Sequence, residues 1–319
     1  MLTEVAPGKG FVGLPSDFGD AARLQQDLPE TSGVKEKRRR ITNDDLPPGT
    51  LSRYNKIFVP KLIEIVARLA NPWELQVINF PGELTRLWDE TFPDTELGYL
   101  VEAGTPLFEL STQRLYTWRS TVGTNAIAAV QRFWENEGIS DPLDRAECAK
   151  IAIGPGKPYL FGEVEFMPDL RTIARRVNRF ESPVILDALG EHLRIIDRVV
   201  KKPVAYPRGA LMLAAAAAER AWKLAVADGK IVPERKDAFS EKSVGPNIKI
   251  FGNAIAQLTD AKWAQILSNA RAFIVFKDAK SRSLAIDIDD DDDLYSDEEY
   301  YMKANKTSMS TIEDDADSL

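Results

Sequence analysis

Residues 207–229 read PRGALMLAAAAAERAWKLAVADG, and this stretch constrains the fold more than any other in the chain. From Ala210 through Ala218 it combines the residues of highest intrinsic helix propensity, and Gly229 supplies the stop. Its small side chains let neighbouring helices approach closely, so a helix over 207–228 belongs at the centre of a packed core. The apolar stretch from Ala210 to Ala218 is closed by Glu219 and Arg220, far too short to cross a bilayer.

A second device marks further helices. Asn71-Pro72, Thr105-Pro106, Asp141-Pro142 and Ser182-Pro183 each place a side-chain acceptor directly before proline. That pattern is an N-cap followed by proline at the first helical position, where a missing N–H costs nothing. The segments that follow keep helical period. Leu107, Leu110, Arg114, Trp118, Val122, Val130 and Phe133-Trp134 recur at steps of three and four, closing at Gly138. Ile185, Leu189, Leu193, Ile196 and Val200 form another stripe, and Thr259 caps a last helix carrying Trp263, Ile266, Leu267 and Ala270. Strand signals (159–161, 164–166 and 249–251) are too short to build a sheet. The expected fold is all-α, a multi-helix domain packed around the alanine-rich helix.

Charge divides the chain into three. Residues 284–319 hold 13 acids against two lysines, a balance of −11, whereas the whole chain is −8. The rest is therefore mildly basic, and residues 284–319 read as a disordered acidic tail. Residues 1–49 read as a disordered arm ending in Pro47-Pro48-Gly49, which leaves 50–283 as the helical domain. A single cysteine, Cys148, excludes an intramolecular disulfide and fits a reducing compartment. The first residues lack a basic segment followed by an apolar one, so no secretory signal is expected.

An ordered series of short motifs runs through the domain: TNDDLP at 42–47, FVP at 58–60, NPW at 71–73, LWD at 87–89 and QRLYTWR at 113–119. FESPVILDALGEHL at 180–193, PRGALMLAAAAAERA at 207–221 and AFS at 238–240 complete it. Over about residues 42–272 this series resembles an uncharacterised domain family, a domain of unknown function abundant in basidiomycete fungi. Members carry a Trp-Gly pair where this chain has Val244-Gly245. The resemblance implies lineage and a helical fold and brings no reaction with it.

Most chemistries find little footing. His192 is the only histidine, and with Cys148 it cannot furnish a zinc ligand set, so no metal and no cofactor are expected. Gly154-Pro155-Gly156-Lys157 fails as a phosphate loop, because Ile151 and Pro158 stand where glycine and Ser or Thr are required. Asp187 and Glu191, four apart on a helix, have the spacing of ordinary solvated acids. No catalytic residue is assigned. The basic signal is stronger. Read as an amphipathic helix, residues 169–180 align Arg171, Arg175 and Arg179 on one side with Arg176 nearby, a row suited to polyanions or an acidic peptide. Lys37, Arg38, Arg39 and Arg40 fit a nuclear import signal read by an importin. Ser296, followed by Asp297, Glu298 and Glu299, suits an acidophilic kinase. Residues 284–288 loosely resemble a SUMO-interacting segment.

These features point to a soluble intracellular protein, in the nucleus rather than the cytoplasm. Its expected role is a non-enzymatic helical interaction module associated with nucleic acid, chromatin or acidic protein segments, its acidic tail competing for the basic surface as an autoinhibitor. The alternatives are a carboxylate-dependent enzyme with a helical pocket and a mobile-element-derived protein without selected function. No membrane association is expected, and the oligomeric state is open.

Overall fold

The computed structural model describes residues 41–168, 172–201, 203–233 and 239–284. The acidic residues beyond 284, Ser296 among them, and the basic cluster Lys37, Arg38, Arg39 and Arg40 lie outside these, as does Arg171.

Nine α-helices are present among the described residues: α1 (Leu51–Arg53), α2 (Val59–Ala67), α3 (Phe80–Thr91), α4 (Pro106–Asn136), α5 (Pro142–Ile153), α6 (Pro183–Ile196), α7 (Arg208–Ala225), α8 (Glu241–Ala256) and α9 (Asp260–Leu284). The alanine-rich α7 lies at the centre, packed against α2, α4, α5, α6 and α8. Ala214 to Ala218 are all completely buried, so backbones meet where larger side chains would hold them apart. At its C-terminal end Trp222 meets the rings of Phe133 and Trp134 edge-on at 5.5 and 6.0 Å. Gly229 then turns the chain at φ +69°, as Gly138 does after α4 at the same φ.

Three of the four acceptor–proline pairs start a helix, two of them with a side-chain cap. Thr105 precedes α4; the Asp141 side chain accepts from the N–H groups of Leu143 and Asp144; Ser182 Oγ accepts from Ile185 N–H. Asn71-Pro72 starts no helix. Asn71 Oδ1 accepts from Trp73 N–H at 3.1 Å and its Nδ2 donates to Glu74 at 2.7 Å, closing a side-chain turn instead. Regular structure is present before the expected domain boundary at residue 50. Residues 43–45 form a 3₁₀ turn capped by Thr42 and Asp45, and Leu46 is buried in the core.

The largest departure from the sequence reading is at residues 169–180. The arginine row is not on a helix: β1 (Phe161–Phe166) pairs antiparallel with β2 (Ile173–Arg179), setting Phe161 opposite Arg179 and Glu165 opposite Arg175. A spacing of four is shared by both periodicities, since residues i and i+4 lie on one face of a strand as of a helix. What decides for the strand is its pairing with residues 161–166, a non-local contact invisible to a local period.

Two features of the helices depart from regular packing. Tyr54–Phe58 forms a π-helical turn joining α1 to α2, with Val59 N–H reaching back five residues to Tyr54 O. Pro60 lacks an N–H and its ring would crowd the carbonyl four residues before it, so the ladder widens here. The second feature is the pairing of α6 with α9. Lys262 pairs with Glu181, just before α6, and Arg271 Nε donates to Asp197 just after it, at 2.6 Å. The two helices therefore run in the same sense. At Gly190 a Cβ would come within 2.9 Å of Ala270 O, so the two backbones are nearly in contact.

Candidate functional site

The π-turn presents two sides. Tyr54 and Phe58 point inward, stacked on one another at 5.0 Å; the Tyr54 hydroxyl meets Ser111 Oγ of α4 at 3.3 Å and Phe58 meets Trp88 edge-on. The intervening Asn55, Lys56 and Ile57 turn to a cleft of about 1020 Å³. Its opposite walls are α4, through Arg114, Thr117, Trp118 and Thr121, and the end of α6, through Glu191, Arg194, Ile195 and the following Arg198. Val59, Pro60 and Ile63 add to an apolar floor.

Four bases and one acid line this space: Lys56, Arg114, Arg194 and Arg198 against Glu191. Glu191 holds Arg194, whose Nε donates to Oε1 at 2.9 Å, so this guanidinium is fixed in orientation. Arg114 is also anchored, Nη2 donating to Asn43 Oδ1 at 3.1 Å. Lys56 and Arg198 are exposed and make no hydrogen bond or ion pair among the described residues. The buried Asn55 Oδ1 and Trp118 Nε1 at the walls also lack partners there. The cleft is thus cationic at the rim and apolar below, the make-up of a ligand site. A π-turn as one wall fits that description, because such turns are enriched at functional sites.

The residues singled out from sequence fare differently. Arg175 Nη1 donates to Glu165 at 3.1 Å across the hairpin. Arg176 donates to Gly156 O at 3.1 Å, and the Arg179 guanidinium lies 5.1 Å from the Phe180 ring. Strand alternation keeps Arg175 and Arg179 on one face and sends Arg176 to the other, while Arg171 lies outside the described residues. Asp187 and Glu191 do not act as a carboxylate pair: Asp187 Oδ2 accepts from Arg132 Nε at 2.9 Å and Nη2 at 2.6 Å, while Glu191 belongs to Arg194.

Cys148 and His192 stand far apart. His192 packs against Trp118, with ring centroids 5.7 Å apart, and Cys148 lies beside Trp134. Those tryptophans are 16 residues apart on α4, roughly 24 Å along its axis. Burial raises the Cys148 thiol and depresses His192 to about 4, leaving both neutral at pH 7. Other buried acids are met by bases or hydroxyls. Glu219 accepts from the Tyr159 hydroxyl at 2.9 Å and pairs with Lys157 and Lys223; burial alone would raise its pKa, but these partners bring it below the usual range. Among the described residues no three His, Cys, Asp or Glu gather as metal ligands, and no helix is long and apolar enough to cross a membrane.

Lys56, Arg114, Arg194 and Arg198 were not marked as a site by sequence reasoning. One signal was available: Arg114 occupies a position of the apolar stripe of α4, where a charged residue is seldom buried without a partner. Compared with protein-family models, curated proteins and solved structures, the chain matches none of them.

Proposed function

We propose that this protein is a non-enzymatic helical interaction module that holds an acidic, partly aliphatic protein segment in the cleft between the π-turn, α4 and the end of α6. The observation that carries this reading is the lining itself, four bases to one acid above an apolar floor. At physiological salt a charge is felt over only about 8 Å, so the bases act on a ligand seated between them. A nucleic-acid backbone would satisfy them but would leave the half-buried Ile57 and Ile195 uncovered. A peptide alternating aliphatic and acidic side chains satisfies both layers, because successive residues of an extended chain point to opposite sides. The buried acids sit with bases rather than with one another, which favours binding over carboxylate catalysis. A nuclear setting is part of the proposal and rests on Lys37, Arg38, Arg39 and Arg40.

The test uses the full chain with aspartates 289–293 replaced by asparagine, so that its own acids do not compete. Fluorescence anisotropy is read with a labelled peptide of residues 284–299 and with a single-stranded DNA of equal length. The expected result is peptide binding that falls at least tenfold in Arg194→Glu/Arg198→Glu and is unchanged in Arg175→Glu/Arg179→Glu. DNA binding tighter than peptide binding and abolished by the hairpin reversal would return the function to the arginines of β2.

A further inference from the structure

We infer that the cleft takes the acidic segment of a second copy of this chain, residues 286–293, so that the protein associates with itself, tail to cleft. The inference rests on the reading above and names the partner.

Three observations carry it. The first is pattern. Ile286-Asp287-Ile288-Asp289 alternates aliphatic and acidic residues, and aspartate continues to Asp293. Successive residues of an extended chain point to opposite sides, so Ile286 and Ile288 can cover Ile57 and Ile195 while the aspartates meet the bases of the rim. The second is charge. Residues 284–319 carry −11 and the rest of the chain +3. Lys56 and Arg198 are the exposed bases of the cleft, and neither makes a hydrogen bond or ion pair among the described residues. Screening beyond about 8 Å mutes the repulsion between two chains of net charge −8, whereas aspartates seated against Lys56 and Arg198 lie inside that range.

The third is geometry, which sends the segment to another copy. Helix α9 runs in the same sense as α6 and passes its end where Arg271 meets Asp197. Leu284, the last residue of α9, lies thirteen residues further on, about 20 Å along the helix. Ile286 and Ile288 follow it by two and four residues, an extended span of at most about 7 and 14 Å. They cannot return to the floor of their own cleft, and α9 carries them beyond the end of α6, where a second chain can receive them.

Sedimentation equilibrium of the full chain tests this with two variants. Lys56→Glu/Arg198→Glu reverses the cleft, and the 289–293 asparagine chain removes the acids of the segment. Wild type should exceed the mass of one chain increasingly from micromolar to submillimolar concentration. Each variant alone should associate at least tenfold more weakly. Their equimolar mixture should associate again, because one supplies the segment and the other the cleft, a rescue that an unfolded variant could not give. Excess peptide of residues 284–299 should dissociate the wild type. A wild type that stays monomeric throughout, a mixture that fails to associate, or association retained in both variants overturns the exchange. Binding of the labelled peptide to the asparagine chain then leaves the cleft's function standing, and its absence overturns both.

Discussion

His192 shows how strongly one side chain can be shaped by its surroundings. It is 1% exposed, packs against Trp118, and neither ring nitrogen finds a hydrogen-bond partner among the described residues. Burial lowers its pKa from 6.5 to about 4, so as pH falls the unfolded chain takes up a proton before the folded one does. Stability should therefore decline between about pH 6.5 and 4, by roughly 3 kcal/mol, and this contribution levels off below that range. Glu219 works in a separate window: its folded pKa is depressed below 4.5, so its stabilisation is present above 4.5 and lost at lower pH. Thermal melts of His192→Leu should lack the decline between pH 6.5 and 4. At pH 7 the variant should be at least as stable as wild type, because no hydrogen bond is lost and no buried polar nitrogen is left unpaired. A variant that melts well below wild type at pH 7 would mean that the imidazole has a bonded role.

At the scale of elements, local and non-local information separate cleanly. The helices announced by acceptor–proline pairs and apolar stripes form because their cues lie within the segment itself, as at Asp141, Ser182 and the alanine run of α7. The hairpin was illegible because Ile173 and Val177, or Arg175 and Arg179, share a face in either conformation; only pairing with 161–166 decides. Asn71 failed as a helix start because its side chain closes a turn on Trp73 and Glu74. Packing of α6 on α9 depends on an absence, the missing Cβ of Gly190 opposite Ala270 O. Gly190→Ala should cost about 1–3 kcal/mol, since a buried backbone contact has to open to admit one methyl group. Denaturant melts check the cost, and hydrogen exchange should show the loosening in α9 before α7.

For the whole molecule, the central position of α7 was written in its composition, whereas the cleft was not. It is assembled from a π-turn near residue 55, the middle of α4 and the end of α6, segments spread along the sequence from residue 55 to residue 198. No spacing rule joins Lys56 to Arg198. The one local hint was Arg114 within an apolar stripe, and its meaning depended on what stood across from it. The most direct test is hydrogen exchange of the 289–293 asparagine variant with and without the acidic peptide of residues 284–299. The account predicts protection at residues 51–57 and 191–199, with residues 161–179 unchanged. Protection confined to residues 161–179, or to neither region, would contradict it.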